Sequence, residues 1–366
     1  MRIIVVGGSG NFGARICRAL TMDRSLTVIA AGRHAVKPTQ KDSPAGMLYA
    51  ALDFAAANFK ASLSALKPDI VIHCAGPFQA QDYRVALAAL ACGAHYIDLS
   101  DGREFVAGFA EAIDDVARSA GRIAVTGAST LPALSSAVVD ALVSRFSQLD
   151  SIDTVIAPAQ SAPRGVATIA GVLGYAGRSH QVWENGTWRI QHGWQDLRRV
   201  DLGPLGKRWS AVCDVPDLAL FPVRYAGVRD ARFRAALEVG VQHVGVALLA
   251  AMRRAGVRLS MALLAPHLDN IAGGLDVFGS QTGGMTVTLT GKATSGTPLT
   301  LRWHVIAPNS HGPEIPAMSA ILLVQKLAAG SVDRIGAMPC MGLIDLDEYA
   351  SEFAKWGMHT GIEENF

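Results

Sequence analysis

The stretch that most constrains this chain is its first twenty residues. Arg2-Ile3-Ile4-Val5-Val6 is a short β-branched apolar run of the kind that forms a buried central strand. It runs directly into Gly7-Gly8-Ser9-Gly10-Asn11-Phe12-Gly13, and Ala14 to Leu20 then reads as a helix. Strand, glycine turn and helix make up the setting in which G-x-G-x-x-G binds a dinucleotide. On the spacing, Gly8 permits the tight turn, Gly10 lets backbone approach a pyrophosphate, and Gly13 lets helix meet strand. The helix N-terminus adds unpaired N–H groups and a partial positive charge.

A second strand, Leu26 to Ala31, ends at Gly32-Arg33-His34. An acid at this point would hold a ribose 2′-hydroxyl; here Arg33 stands there instead, with His34 and Lys37 behind it. A guanidinium suits a 2′-phosphate, so NADP is expected as cofactor in preference to NAD. Further strands are expected at Met47–Asp53, Ile70–Ala75, His95–Leu99 and Ile123–Gly127, with helices at Ala55–Leu66 and Val85–Cys92 and another that follows the Ser100-Asp101-Gly102-Arg103 loop and runs to Ala120. Asp53 either approaches the adenine or caps the helix after it. Six strands alternating with helices predict an α/β fold, a Rossmann doubly wound parallel sheet with ligands at the C-terminal strand ends.

Three motifs together carry a resemblance: Gly7 to Gly13; His73-Cys74-Ala75-Gly76-Pro77-Phe78; and Cys92-Gly93-Ala94-His95-Tyr96-Ile97-Asp98-Leu99-Ser100-Asp101-Gly102. In these the chain resembles the saccharopine dehydrogenase-like (saccharopine reductase-type) NAD(P)-binding oxidoreductases. The likeness covers the first third well, and Gly312-Pro313 and Gly336-Ala337-Met338-Pro339 are similar to the tail of other members. It implies a Rossmann domain, a second α+β domain with a mostly antiparallel sheet, a homodimer, and a Gly-Pro-Phe turn beside the nicotinamide. It does not imply saccharopine as substrate.

At 366 residues the chain exceeds the usual single core. The expected division is a Rossmann domain over 1–128, an α+β substrate and dimerisation domain over 129–308, and a helical segment over 309–366 that returns to the first. In the middle part we expect a bridging helix at Ala133–Phe146, a strand at Ser151–Ile156 and a helix at Val166–Gly177. A hairpin is expected around Asn185-Gly186, a strand at Trp209–Val212, a short helix at Ala231–Val239, and a second hairpin between Met285–Thr290 and Pro298–Ile306. Helices are expected at Ala317–Ala328 and Asp345–Trp356.

A net charge of +2 gives no reason to expect nucleic acid or an anionic membrane as partner. The longest apolar stretch, Val244 to Met252, is too short to span a bilayer. The N-terminal apolar run is too short for a signal peptide. Five scattered cysteines without a C-x-x-C pair suggest neither a metal site nor a disulfide framework, and fit a reducing cytoplasm.

No Tyr-x-x-x-Lys dyad, nucleophile elbow or P-loop lysine is present. Hydride transfer asks the protein mainly to orient carbons and manage one proton. The candidates at strand ends are Asp98, Tyr96 and Asp101 as catalytic groups, with Asp98 equally readable as a structural acceptor. The cofactor set is Gly7, Gly8, Ser9, Gly10, Asn11, Phe12, Gly13, Arg33, His34, Asp53, Ala75, Gly76, Pro77 and Phe78. Gln79, Arg164 and His304 are candidates for a small substrate carrying a carboxylate or an imine. Two other readings stand beside the oxidoreductase: a dinucleotide-binding sensor or scaffold without turnover, and a reductase of a bulky apolar substrate, suggested by the helix near Leu248. Trp183, Trp188, Trp194 and Trp209 suggest a dimer contact on the second domain.

Overall fold

The computed structural model describes residues 1–34, 46–79, 81–163, 171, 174–257 and 261–366. It divides into two compact units: Met1–Leu134 with Glu314–Tyr349, and Ser135–Pro313 with Ala350–Phe366.

The first unit is built on β1 (Arg2–Val6), β2 (Thr27–Gly32), β3 (Leu48–Ala51), β4 (Ile70–His73), β5 (His95–Asp98) and β6 (Ile123–Thr126). Between them lie α1 (Asn11–Thr21), α2 (Phe59–Ala65), α3 (Arg84–Ala91) and α4 (Arg103–Ser119). A further strand, β15 (Gly336–Pro339), makes the sheet seven-stranded in the order β15-β6-β5-β4-β1-β2-β3, with every pairing parallel. Ile3, Ile4, Val5, Ile70, Val71 and Ile72 are wholly buried, as strands covered on both faces require. The expected order of a Rossmann sheet is therefore present.

The seventh strand comes from the tail, a segment expected to be helical. Gly336 to Pro339 pairs with Ile123 to Thr126. Pro339 closes an edge strand, where its missing N–H costs no ladder bond. Ahead of it, α9 (Ile315–Ala328) packs on α1, and the Arg15 guanidinium donates to Glu314 at 2.8 Å. The expected helix at Ala55–Leu66 begins only at Phe59, because Asp53 folds the preceding residues into turns.

The second unit holds β7 (Phe146–Ala157), β8 (Ser179–Glu184), β9 (Thr187–His192), β10 (Arg198–Asp201), β11 (Lys207–Val212), β12 (Asp230–Ala235), β13 (Gly283–Ala293), β14 (Pro298–Ala307) and β16 (His359–Glu364). Its helices are α5 (Ser135–Leu142), α6 (Asp217–Arg224), α7 (Gly240–Arg254) and α8 (Met261–Gly274), while α10 (Leu346–Lys355) spans the boundary between units. The main path of the sheet is β10-β11-β12-β7-β13-β14-β16, with the β8–β9 hairpin joined to β12. Among the described strands only β12 and β7 pair in parallel, so the sheet is mostly antiparallel. Asn185 and Gly186 both take positive φ, as their hairpin turn demands.

Three expectations are corrected here. Ala231–Val239 is not a helix: Asp230 to Ala235 pairs residue by residue with Ser151 to Ile156. Its alternation of Asp230, Arg232 and Arg234 with Ala231, Phe233 and Ala235 is the period-two signal of a half-buried strand. The bridge at Ala133–Phe146 is broken into a π-helical turn at Thr130–Leu134, α5, and a 3₁₀ turn at Val143–Arg145, and Phe146 already opens β7 against Ala293. The tail after 309 is not only helical; β16 ends it by pairing His359 to Glu364 with β14. The expected helix at Val166–Gly177 falls largely outside the described residues.

One row across this sheet, Phe233, Thr154, Val287, Trp303 and Ile362, belongs to the mainly apolar face, where Trp303 meets Phe353 of α10. The neighbouring row, Arg232, Asp153, Thr288, Arg302 and Glu363, is polar and alternates in charge. Opposite charges facing across strands support the register.

Candidate functional site

The C-terminal ends of β1, β2, β4 and β5 bring most of the candidate residues of the first unit to one edge of its sheet. At the end of β1 the chain reverses through Gly7, whose φ of +84° is left-handed. The tight turn thus falls to Gly7, not to Gly8 as the spacing suggests. A Cβ on Gly7 would lie 2.9 Å from the Ala75 nitrogen, so the β1 and β4 turns are in contact. Gly8 is required for another reason: its Cβ would lie 2.7 Å from Ala30 Cα on β2. At Gly13 a Cβ would be 2.2 Å from the Gly7 carbonyl oxygen, which is the close approach of helix to turn.

Gly10 differs from these three. Its Cβ would meet only the Gly7 oxygen, at 3.1 Å, and it is exposed. It is the N-cap of α1 and supplies no side-chain acceptor, so the first-turn N–H groups of Asn11, Phe12 and Gly13 are not capped. An open cradle with uncapped amides at the N-terminus of an 11-residue helix fits a pyrophosphate. The exposed Ser9 hydroxyl lies 3.8 Å from where a Cβ on Gly32 would stand, beside the end of β2. The side chain of Asn11 accepts from Arg15, which also bonds the Asn11 carbonyl and Glu314. Phe12 is half-buried.

Arg33 and His34 follow β2 and are both exposed; Lys37 lies outside the described residues. Asp53, after β3, accepts from the Ala55 amide at 3.0 Å, so its carboxylate shapes the turn.

The β4 turn continues Ala75-Gly76-Pro77-Phe78. Gln81 clamps it, donating to the carbonyls of Ala75 at 2.7 Å and Pro77 at 2.9 Å. Nothing in the sequence marked Gln81, whose part depends on the turn folding back over it. Gly76 and Pro77 are exposed, whereas Phe78 is only 4% exposed and packs edge-on against His73 with ring centroids 5.0 Å apart. The ring of Phe78 is part of the core under the turn, in an aromatic layer with Phe54, His73 and Phe105.

The three catalytic candidates separate sharply. Tyr96 is wholly buried and stacks on Phe109; its hydroxyl sits 3.3 Å from His73 Nδ1. Burial holds His73 down to about 4, only partly opposed by the Ala75 backbone, so the ring is neutral near pH 7. Asp98 is also wholly buried. Its Oδ1 accepts from the Ser100 amide, the Thr126 hydroxyl and the Gly127 amide, each at 2.9 Å. Its Oδ2 receives no hydrogen bond of ordinary geometry. Burial pushes the Asp98 carboxyl up to about 6, while the bonds from Gly127, Ser100, Thr126 and the nearby Tyr96 hydroxyl pull it down. Asp98 thus ties the loop after β5 to the end of β6. Asp101, three residues on, is exposed, and its Oδ1 accepts from Gln79 Nε2 at 3.2 Å.

Arg164 lies outside the described residues. His304 belongs to the second unit, on β14, with its ring over Gly361 and Nδ1 3.7 Å from Glu363 Oε1. Among the described residues no three His, Cys, Asp or Glu side chains cluster as a metal site requires. Nor is any described helix long and apolar enough to cross a membrane.

Comparison with known proteins agrees with this geometry. Residues 3–125 match the family model described as the saccharopine dehydrogenase NADP binding domain. No curated protein sequence matches the chain. Among solved structures, the apo saccharopine dehydrogenase (L-Glu forming) of Saccharomyces cerevisiae is similar over 100% of both chains, with a TM-score of 0.69 at 12% identity. The homospermidine synthase of Legionella pneumophila, solved with NAD, is similar over 99% of this chain and 91% of its own, with a TM-score of 0.60 at 9% identity. At such identities the likeness is one of fold. The segment from residue 3 to residue 125 is thus similar to the saccharopine dehydrogenase NADP binding domain.

Proposed function

We propose that the protein is an NADP-dependent oxidoreductase that moves a hydride to or from a small substrate bearing a carboxylate or an imine. The observation that carries this reading is the shared strand edge. It joins the glycine cradle, the exposed Gly76-Pro77 turn and the Gln79–Asp101 pair. Bound NADPH would supply the hydride. The chain's own part is to hold the pyrophosphate on the uncapped amides of α1, to meet a 2′-phosphate with Arg33, and to present a carboxylate at Asp101. Of the three catalytic candidates, Asp101 alone has a surface from which to exchange a proton with a substrate, and Gln79 orients it. Asp98 and Tyr96 support the loop that carries it.

Mixing the purified protein with NADPH and a panel of imines, keto acids and enals, and following nicotinamide absorbance, tests the reading. Turnover of an imine or keto acid is expected; tight NADPH binding without turnover of any would favour the sensor or scaffold. With a substrate in hand, Asp101→Asn should lower kcat by on the order of a hundredfold, with NADP affinity unchanged. An unaltered kcat would remove Asp101 from the proton's path.

Cofactor choice gives a separate expectation. NADP should bind more tightly than NAD, and Arg33→Asp should reverse the order, a change of about 1–3 kcal/mol for losing a charge-assisted contact. Calorimetric titration of both cofactors checks it, and equal affinities in the native protein would refute it.

We place the protein in a reducing cytoplasm, on the support of five cysteines that are all free thiols. We also propose that it works as a homodimer. The four tryptophans give this uneven support, because Trp194 is core and Trp183 is half-buried, donating to the Val228 carbonyl at 2.8 Å. Trp188 and Trp209 remain exposed.

A further inference from the structure

The turn after β4 distributes its main-chain acceptors unevenly. Five carbonyls run from Cys74 to Phe78. That of Cys74 accepts from the Gly76 amide at 3.2 Å. Those of Ala75 and Pro77 accept from the side-chain amide of Gln81, at 2.7 and 2.9 Å. That of Phe78 accepts from the Gln81 main-chain N–H at 3.1 Å. A glutamine side chain has two donors on one nitrogen, and here both engage the turn. The carbonyl between the two that they hold is that of Gly76, and no described residue donates to it. Gly76 is exposed, whereas Gln81 is half-buried. One residue therefore occupies three of the five acceptors and leaves that of Gly76 open to a ligand's N–H group.

The sheet order decides which ligand group falls there. β2 and β3 lie on one side of β1, and β4, β5 and β6 on the other. A dinucleotide lies across the crevice at such a reversal, with one nucleotide on each side. Arg33 follows β2, so the adenosine half and its 2′-phosphate belong on that side, and the nicotinamide half falls over the turn after β4. This turn touches the glycine cradle, as the Gly7 and Ala75 backbones show. It is also supported from the next strand: a Cβ on Gly102 would lie 3.5 Å from Phe78 Cβ, so the loop after β5 packs against it. A nicotinamide carries a primary carboxamide, whose N–H donors need an acceptor once they leave water.

We infer that the Gly76 carbonyl accepts from the nicotinamide carboxamide, and that Gln81 positions it by holding the carbonyls on either side. This rests on the NADP reading above and says how the chain recognises the reacting end of that cofactor. With leucine at position 81 the Ala75 and Pro77 carbonyls lose their donor, and the turn no longer has a single acceptor to present.

Titration with NADP, with its 3-acetylpyridine analogue and with 2′,5′-ADP tests this without any substrate. The analogue has a methyl ketone in place of the carboxamide, so it keeps the size and loses the N–H donors. 2′,5′-ADP lacks the nicotinamide and reports on the adenosine side alone. The native protein should bind NADP about tenfold more tightly than the analogue, the scale of one hydrogen bond. Gln81→Leu should bind the two alike, with its affinity for 2′,5′-ADP unchanged. Equal affinities for NADP and the analogue in the native protein would overturn the inference and leave NADP binding standing. A folded native protein that binds neither would overturn the cofactor reading itself. A preference for NADP that survives in Gln81→Leu would remove Gln81 from its positioning part. Should Gln81→Leu lose 2′,5′-ADP as well, Gln81→Glu decides. Its carboxylate faces carbonyl oxygens and donates nothing, whereas the protonated acid donates to one of them. The preference for NADP should then return on acidification toward the ordinary glutamate range, and a preference that does not change with pH would overturn the inference.

Discussion

Asp98→Ala should lose on the order of 10 °C in melting temperature, the largest stability effect of any polar substitution in the first unit. Three donors converge on Asp98 Oδ1: the Ser100 and Gly127 amides and the Thr126 hydroxyl. All belong to buried residues. Removing their common acceptor leaves buried donors unpaired at about 1–3 kcal/mol each, and a domain of this size shifts by about 2–4 °C per kcal/mol. Asp98→Asn should behave differently. Its amide oxygen can accept the same three bonds, and it removes a carboxyl whose ionisation burial opposes.

The sign follows from the folded-state value of about 6 against an ordinary 3.8. A raised carboxyl contributes stability that is fully present below 3.8 and is lost as pH rises through 6. Asp98→Asn should therefore gain on the native protein across that window and keep the gain at pH 7. Melting curves from pH 4 to pH 7 check this, working against a background in which buried His73, held down to about 4, makes the native protein lose stability on acidification. If Asp98→Asn loses as much as Asp98→Ala, or if it melts normally but no longer turns over a substrate that the native protein reduces, the tie between loops is not the main role of Asp98.

Gly10→Val should weaken NADP binding by about a hundredfold or more while leaving the fold intact. The backbone there is extended, at φ −75° and ψ 175°, which valine adopts freely, and its Cβ would press only on the Gly7 oxygen at 3.1 Å. The added methyls would instead fill the space in front of the uncapped α1 amides. Hydrogen bonds to a charged group contribute about 1.5–3 kcal/mol each, so losing two accounts for the expected factor. Gly13→Ala is the contrast. Its Cβ would lie 2.2 Å from the Gly7 oxygen, backbone against backbone, so it should unfold the turn itself. Titration with NADP beside thermal melting separates the two, and a Gly10→Val protein that binds NADP normally would move the pyrophosphate away from this helix.

Local signals in the chain specify most of the nucleotide unit and much of the hairpin pairing. Buried parallel strands read as continuous β-branched runs, and glycines mark turns because left-handed or crowded backbone excludes a Cβ. Arg2 to Gly13, the Asn185-Gly186 turn and the β13–β14 hairpin are local signals of that kind, each decided within a dozen residues. Tertiary pairing settled the Asp230–Ala235 stretch, where a period-two alternation competes with helix-forming residue types. Its helix-forming composition yields to a six-residue ladder with β7, a partner nearly eighty residues away in sequence. The same holds for Gly336–Pro339 and His359–Glu364, short stretches that become strands only because an existing sheet edge accepts them. At the site, residue type and strand-end position point to Asp98 first, with Tyr96 and Asp101 beside it. Burial separated them, since a side chain's access to solvent depends on everything packed over it, and no spacing in the sequence records that.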